Sequence, residues 1–252
     1  AGADEDSGGG NIRRWAAVPS IVAAERAAKR DARAQLSDDD MQSRLPPGLE
    51  TPKYEVIVKR AQRQGGYEVR RYGSFSVCTV PMNRPKPAEP SKTDASVSNP
   101  QLSGASSFGA LAGYLFGKND RGEAMKMTTP VLTAGEGDDR TMSFVLPSDF
   151  WSEENDSAEG GINAAPKPLE GSGVFLERDA GGERAVIVFG GYASKGEVQK
   201  KKTQLLAGLK KDNEWMLLND DAVPTLAQYN DPFTPPWKRR NEVSVPVASK
   251  QS

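Results

Sequence analysis

Histidine is absent from the 252 residues, and cysteine occurs once, as Cys78. The first absence excludes Ser-His-Asp and Cys-His triads, histidine zinc sites and imidazole ligation of iron. The second excludes an intramolecular disulfide and any multi-cysteine zinc or iron–sulfur site. Cys78 sits inside an alternating strand, so it is expected to be a buried, inert thiol rather than a thiolate ligand. No recognisable phosphate loop is present either, which leaves no catalytic mechanism to place, and the chain is expected not to be an enzyme. No run of about 18 apolar residues reads as a transmembrane helix. With 33 Lys and Arg against 34 Asp and Glu, there is no overall basic field to hold nucleic acid. Peripheral contact with a membrane, or with an acidic partner, is left to local patches such as Lys200, Lys201, Lys202, Lys210 and Lys211.

What is present is 18 Pro and 25 Gly, the mark of a globular body with loop-rich additions. Residues 1–48 read as an acidic, then Ala-rich extension. Its first ten residues are expected to be disordered, and Pro19 and Ser20 open a helix from Ile21 to about Leu36, either a solvated spacer or an element that docks the chain on a protein complex through Trp15 and Ile21. The opening Ala in place of Met suggests a removed targeting peptide. Pro46, Pro47 and Gly48 close the extension, and a domain is expected over residues 49–247, with a mobile insertion at about 83–101 and a tail at 248–252.

Within the domain, Tyr54–Lys59, Tyr67–Tyr72 and Phe75–Val80 alternate as strands separated by Gly65-Gly66 and Gly73-Ser74, which predicts an antiparallel meander. A helix follows, then a strand from Met127, a turn at Gly135–Asp139, and a hairpin partner at Met142–Leu146. The order then repeats. A hairpin is expected across Asp179–Gly182, then a helix from Gly196 to about Lys211 with Val198, Lys202, Leu205 and Leu209 on one face, and strands at Trp215–Leu218, Thr225–Tyr229 and Glu242–Val247. The fold class is α+β: two similar halves, each a sheet covered by one helix, paired face to face or closed into a distorted barrel.

The stretch Phe108–Val131 joins the first helix to its strand. Phe108, Leu111, Ala112 and Leu115 have the spacing of a buried face. Gly109, Gly113 and Gly117 form a second stripe, each costing about 1 kcal/mol relative to Ala in a helix interior, and a neighbouring backbone, a flat ligand or a partner is expected against them. Gly117, Asn119 and Gly122 supply the cap and turn.

Several stretches together, Tyr67–Tyr72, Tyr114–Gly117 with Asn119 and Met127–Val131, Phe144–Pro147, Phe189–Tyr192, Tyr229–Pro232 and Arg239–Val243, resemble the SOUL haem-binding protein family in order and spacing from about Thr51 to Val247. The resemblance implies a distorted eight-stranded β-barrel of two halves flanked by two helices, and non-covalent binding of haem or another tetrapyrrole in an apolar groove beside the first helix, some members using an axial histidine and others none. Along that helix this chain has Ala105, Phe108, Ala112 and Gly113 where haem-binding relatives carry methionines and basic residues. It has Phe233-Thr234 where relatives place a lysine near a propionate. A ring needs a flat apolar wall and cations for its propionates. Phe108, Leu111, Ala112 and Leu115, with Met125 and Met127, are the expected wall, and Lys118, Arg121 and Lys126 the expected cations. Arg239–Glu242 is expected to pair with Glu68, Arg70 and Arg71 across the sheet. The resemblance thus implies a non-catalytic tetrapyrrole carrier or buffer, which in this chain would work without histidine ligation, and together with the opening Ala and the Ala-rich extension it leads to the expectation of a chloroplast protein, in the stroma or on the thylakoid. A scaffold or auxiliary subunit that keeps the fold, has lost or weakened haem binding and docks on a larger complex, for instance a photosynthetic one, is the alternative.

Overall fold

Two glycine-marked bends, at residues 73 and 181, organise the domain. In the computed structural model, which describes residues 44–83, 105–151 and 160–250, β1 (Tyr54–Lys59) pairs antiparallel with β2 (Glu68–Tyr72) across Gly65-Gly66, as expected. The expected meander then breaks. β3 (Phe75–Pro81) does not return along β2: β2 pairs with β7 (Gly182–Phe189), and β3 pairs with β6 (Phe175–Asp179). Tyr72 faces Gly182 and Phe75 faces Asp179 in one unbroken register. The two expected hairpins are therefore two long strands, β2–β3 and β6–β7, paired throughout and bent at the same place. Gly181, at φ +74°, makes this possible, because a Cβ there would run into the carbonyl oxygens of Tyr72 and Gly73.

The hairpin of β4 (Val131–Ala134) with β5 (Thr141–Val145) forms as expected. The first of these starts at Val131 rather than Met127, because Pro130 has no N–H for a ladder. Thr128 and Thr129 instead donate their hydroxyls to the carbonyls of Val145 and Tyr229. After β8 (Trp215–Leu217) and β9 (Thr225–Gln228), β10 (Asn241–Ser249) extends two residues into the expected tail. The sheet order is β1-β2-β7-β10-β9-β4-β5-β3-β6, with β8 on β10. The result is a curled, mostly antiparallel, barrel-like sheet of ten strands among the described residues where eight were expected, with two helices, in the α+β class.

α1 (Ala105–Leu115) lies over β3 and β5, in a core with Cys78, Val80, Phe144 and Leu146. α2 (Lys195–Lys211) lies over β2, β7 and β10, burying Leu205 and Leu209 against Val69, Ile187 and Val245. Ser194 caps α2 by accepting from the Glu197 N–H at 3.3 Å. Alternation along β3 sends Cys78 and Val80 toward α1 and Phe75 and Val77 to the other face, where they meet Val145. The expected helix at 21–36 and nearly all of the expected insertion at 83–101 lie outside the described residues.

Candidate functional site

α1 is oriented by its polar anchors. Ser107 donates to the Pro81 carbonyl at 3.1 Å, and the Tyr114 hydroxyl donates to the Pro166 carbonyl at 2.7 Å. Both reach inward, so the buried stripe is Ser107, Leu111, Tyr114 and Leu115. This corrects the expected stripe at Phe108, which is turned toward the outer side, whereas Ala112 is half-buried and packs against the core beneath α1. Phe108 is 39% exposed and meets Phe144 edge to face at 5.1 Å. Phe116, one turn beyond Ala112, is 59% exposed. Among the described residues, no neighbouring backbone packs on the first two glycines. A Cβ at Gly109 would find open space, and one at Gly113 would meet only the stem of Lys118, at 3.1 Å from its Cδ. The outer side of α1 is thus a shelf, with a phenylalanine at each end, ~12 Å apart along the axis, and Gly109, Ala112 and Gly113 between.

The helix exit is fixed by backbone geometry. Lys118 N–H reaches Gly113 O at 2.8 Å and Gly117 N–H reaches Tyr114 O, with Gly117 at φ +104°, the double closure of a glycine C-cap. The buried Asn119 amide donates to Tyr114 O and Glu123 O, and its oxygen accepts from the N–H groups of Arg121 and Glu123. This accounts for Asn119 between the two glycines.

Of the expected wall, the structure places Phe108 on the shelf and half-buried Ala112 at its inner edge, against the core. Leu111, Leu115 and Met125 lie beneath it, buried in the core, with no face for a ligand. Met127 is exposed on the following segment. Of the expected cations, Lys118 borders the shelf, Arg121 donates to the Ala164 carbonyl at 3.0 Å, and Lys126 is exposed. Sequence reasoning missed Phe116 and counted Gly109 only as part of a stripe. The signal was the spacing of 108, 112 and 116, one face over two turns.

Arg239–Glu242 meets its expected partners only in part. Glu242 accepts from Arg70 Nη1 at 3.0 Å, from Arg240, and from the Tyr229 hydroxyl at 2.8 Å. Arg70 also donates to Glu68 at 2.8 Å and lies over the Tyr54 ring. Its Nη2 sits 2.8 Å from the same Glu68 oxygen, at an angle that makes a contact and not a hydrogen bond. Burial by itself would raise the Glu242 carboxyl, but Arg70 and Arg240 outweigh it and hold the group below its ordinary range. Arg71 points away and pairs with Glu183 at 3.0 Å, because neighbouring residues of a strand face opposite sides. Arg239 clamps a loop instead of joining the cluster, donating to Thr234 O and Pro232 O. Cys78 is buried as expected, its thiol pushed up to about 12 by burial. No group of three or more His, Cys, Asp and Glu that could hold a metal ion occurs among the described residues.

The family model described as SOUL heme-binding protein matches residues 49–246. The human protein named Heme-binding protein 2 is 28% identical over 204 residues, 77% of this chain and 84% of that protein. Among solved structures, an uncharacterized conserved protein from Listeria innocua aligns with a TM-score of 0.45 at 14% identity, over 76% of this chain and 94% of its own. A hydrolase from the same organism aligns with a TM-score of 0.43 at 15% identity, over 72% and 91%. Likeness at that level says nothing of activity.

Proposed function

The chain belongs to the SOUL heme-binding protein family, and on that footing we propose that it binds haem or another tetrapyrrole, non-covalently, on the shelf of α1, as a carrier or buffer rather than an enzyme. The observation that carries the reading is the flat outer side of α1, with exposed Phe108 and Phe116 around Gly109, Ala112 and Gly113. Small residues between two aromatics let a planar ring lie close to the helix, and the Lys118 ammonium, carried on a stem that crosses Gly113, is placed to meet a propionate. The chain has no histidine and its one thiol is buried, so neither imidazole nor thiolate reaches the iron, and the macrocycle is held mainly by its face and its carboxylates. Titration of the purified full chain with hemin and with iron-free protoporphyrin tests this. A saturable change in the absorption spectrum with both, weakened by Ala112→Trp and by Phe116→Ala, is expected. No saturable change with either ring overturns it.

We also read the domain as two related halves. What supports this is the sheet order, in which β6-β3-β5-β4 and then β9-β10-β7-β2 run outward from a centre in matching sequence, each half with one helix. Eight strands belong to the halves, and β1 and β8 are additions. A second reading, a unit that docks on a larger, photosynthetic complex, draws on residues 1–48 lying outside the family match. Comparing the proteins that co-purify with the full chain and with a version lacking residues 1–48 tests it. Identical sets would refute a docking role for the extension. The chloroplast placement is likewise proposed, and immunodetection in purified plastids tests it.

A further inference from the structure

The loop before β10 carries Phe233, 93% exposed, and Trp237, 61% exposed, and it is bound to the turn that carries Tyr192, 55% exposed. Such side chains usually fold back onto a protein surface, but this loop cannot let them. The Asp231 carboxylate accepts from the Phe233 N–H at 2.8 Å and the Thr234 hydroxyl at 2.6 Å. Arg239 donates to the carbonyls of Pro232 and Thr234, on either side of Phe233, and lies 4.9 Å from the Tyr192 ring centre. Gly191 N–H donates to Pro236 O at 3.0 Å, Asn241 donates to Gly191 O at 2.9 Å, and Pro235 and Pro236 fix two more backbone angles. The backbone that carries the exposed aromatics is clamped, so inserting them elsewhere costs little backbone ordering entropy.

We propose that this loop is a docking site for an anionic lipid surface. A clamped loop offering aromatics suits a soft apolar phase that needs no matching pocket, and Trp and Tyr favour the level of the headgroups. The charge around it is complementary. Lys238 follows Trp237, Lys195 comes three residues after Tyr192, and neither makes an ion pair among the described residues. Asp231, the loop's one carboxylate, keeps its negative charge, but Arg239 joins the two lysines and leaves the loop and its neighbouring turn net positive. The inference does not rest on the tetrapyrrole reading, and because Phe233-Thr234 stand where relatives place a lysine near a propionate, it is tested on ligand-free protein.

The ligand-free full chain is sedimented with phosphatidylcholine vesicles, with and without phosphatidylglycerol. Expected is binding that depends on phosphatidylglycerol, with a blue shift of tryptophan emission that Trp237→Ser abolishes. Phe233→Ser, Trp237→Ser and the double change Lys195→Glu with Lys238→Glu should each weaken binding roughly tenfold. All should keep the parent's thermal midpoint, because the altered side chains are exposed. Absence of binding by the parent chain, or equal binding by the parent and the Phe233→Ser, Trp237→Ser double variant, overturns the proposal. A dimer in sedimentation velocity that the aromatic changes convert to monomer also overturns it, and makes the loop a contact between copies.

Discussion

Replacing Gly109 by Ala separates the two uses that a glycine in the middle of α1 can have. Gly in a helix interior costs roughly 1 kcal/mol relative to Ala, and a Cβ at 109 meets nothing within 4 Å. The change should therefore stabilise the protein by about 0.5–1 kcal/mol. For a domain of this size, ~200 residues, that is a rise of about 1–4 °C in thermal midpoint. Gly113→Ala should gain less, since the new Cβ crowds Lys118 Cδ at 3.1 Å and the lysine stem must shift. Both gains are read by scanning calorimetry of the ligand-free protein. If the open face exists for a planar ring, the larger Gly109→Leu should weaken hemin binding at least tenfold, a loss of about 1.4 kcal/mol, with no loss of fold. A lower midpoint for Gly109→Ala would show that the glycine serves the packing and refute the reasoning. So would a Gly109→Leu protein that binds hemin as the parent does.

The buried cluster around Glu242 gives a second prediction. Glu242→Gln removes the buried carboxylate that Arg70 and Arg240 share and should cost about 3–5 kcal/mol in a denaturant titration, while Tyr229→Phe, which removes one hydrogen bond to it, should cost about 1.5–3 kcal/mol. Acid should act on the same groups. Burial would raise the carboxyls of Glu242 and Asp212, but Arg70 and Arg240 in one case, and Arg60 and Tyr67 in the other, outweigh it and hold both below their ordinary values of 4.5 and 3.8. A carboxyl whose folded value is depressed stabilises the fold above its unfolded value and loses that contribution as pH falls through the folded one. The denaturation midpoint should hold steady above about pH 5 and decline below it, and Asp212→Asn should flatten the decline. An unchanged midpoint down to pH 3 would contradict both assignments. Cys78, buried with its thiol pushed up to about 12, should resist iodoacetamide at pH 8 in the folded protein and react once denaturant is added. Labelling of the native chain would place it at the surface.

The sequence by itself determined the elements and the chemistry that is ruled out. Missing histidine and a single cysteine restrict a binding site whatever the fold. The spans of β1 and α2, and the turn at Gly65-Gly66, follow from local alternation, periodicity and caps. Tertiary structure decided the pairing and the faces. The stretches around Gly73 and Gly181 look like hairpin turns, since glycine suits a turn and a strand bend equally well. Only the contact of Gly181 with the carbonyls of residues 72 and 73 makes them bends in one ladder. The apolar periodicity of α1 allowed Phe108 to be buried, and the hydroxyls of Ser107 and Tyr114, fixed by partners 26 and 52 residues away in the chain, turned it outward instead. A buried stripe is read from nearest neighbours along one helix, whereas the side left to a ligand depends on what the rest of the chain brings against it.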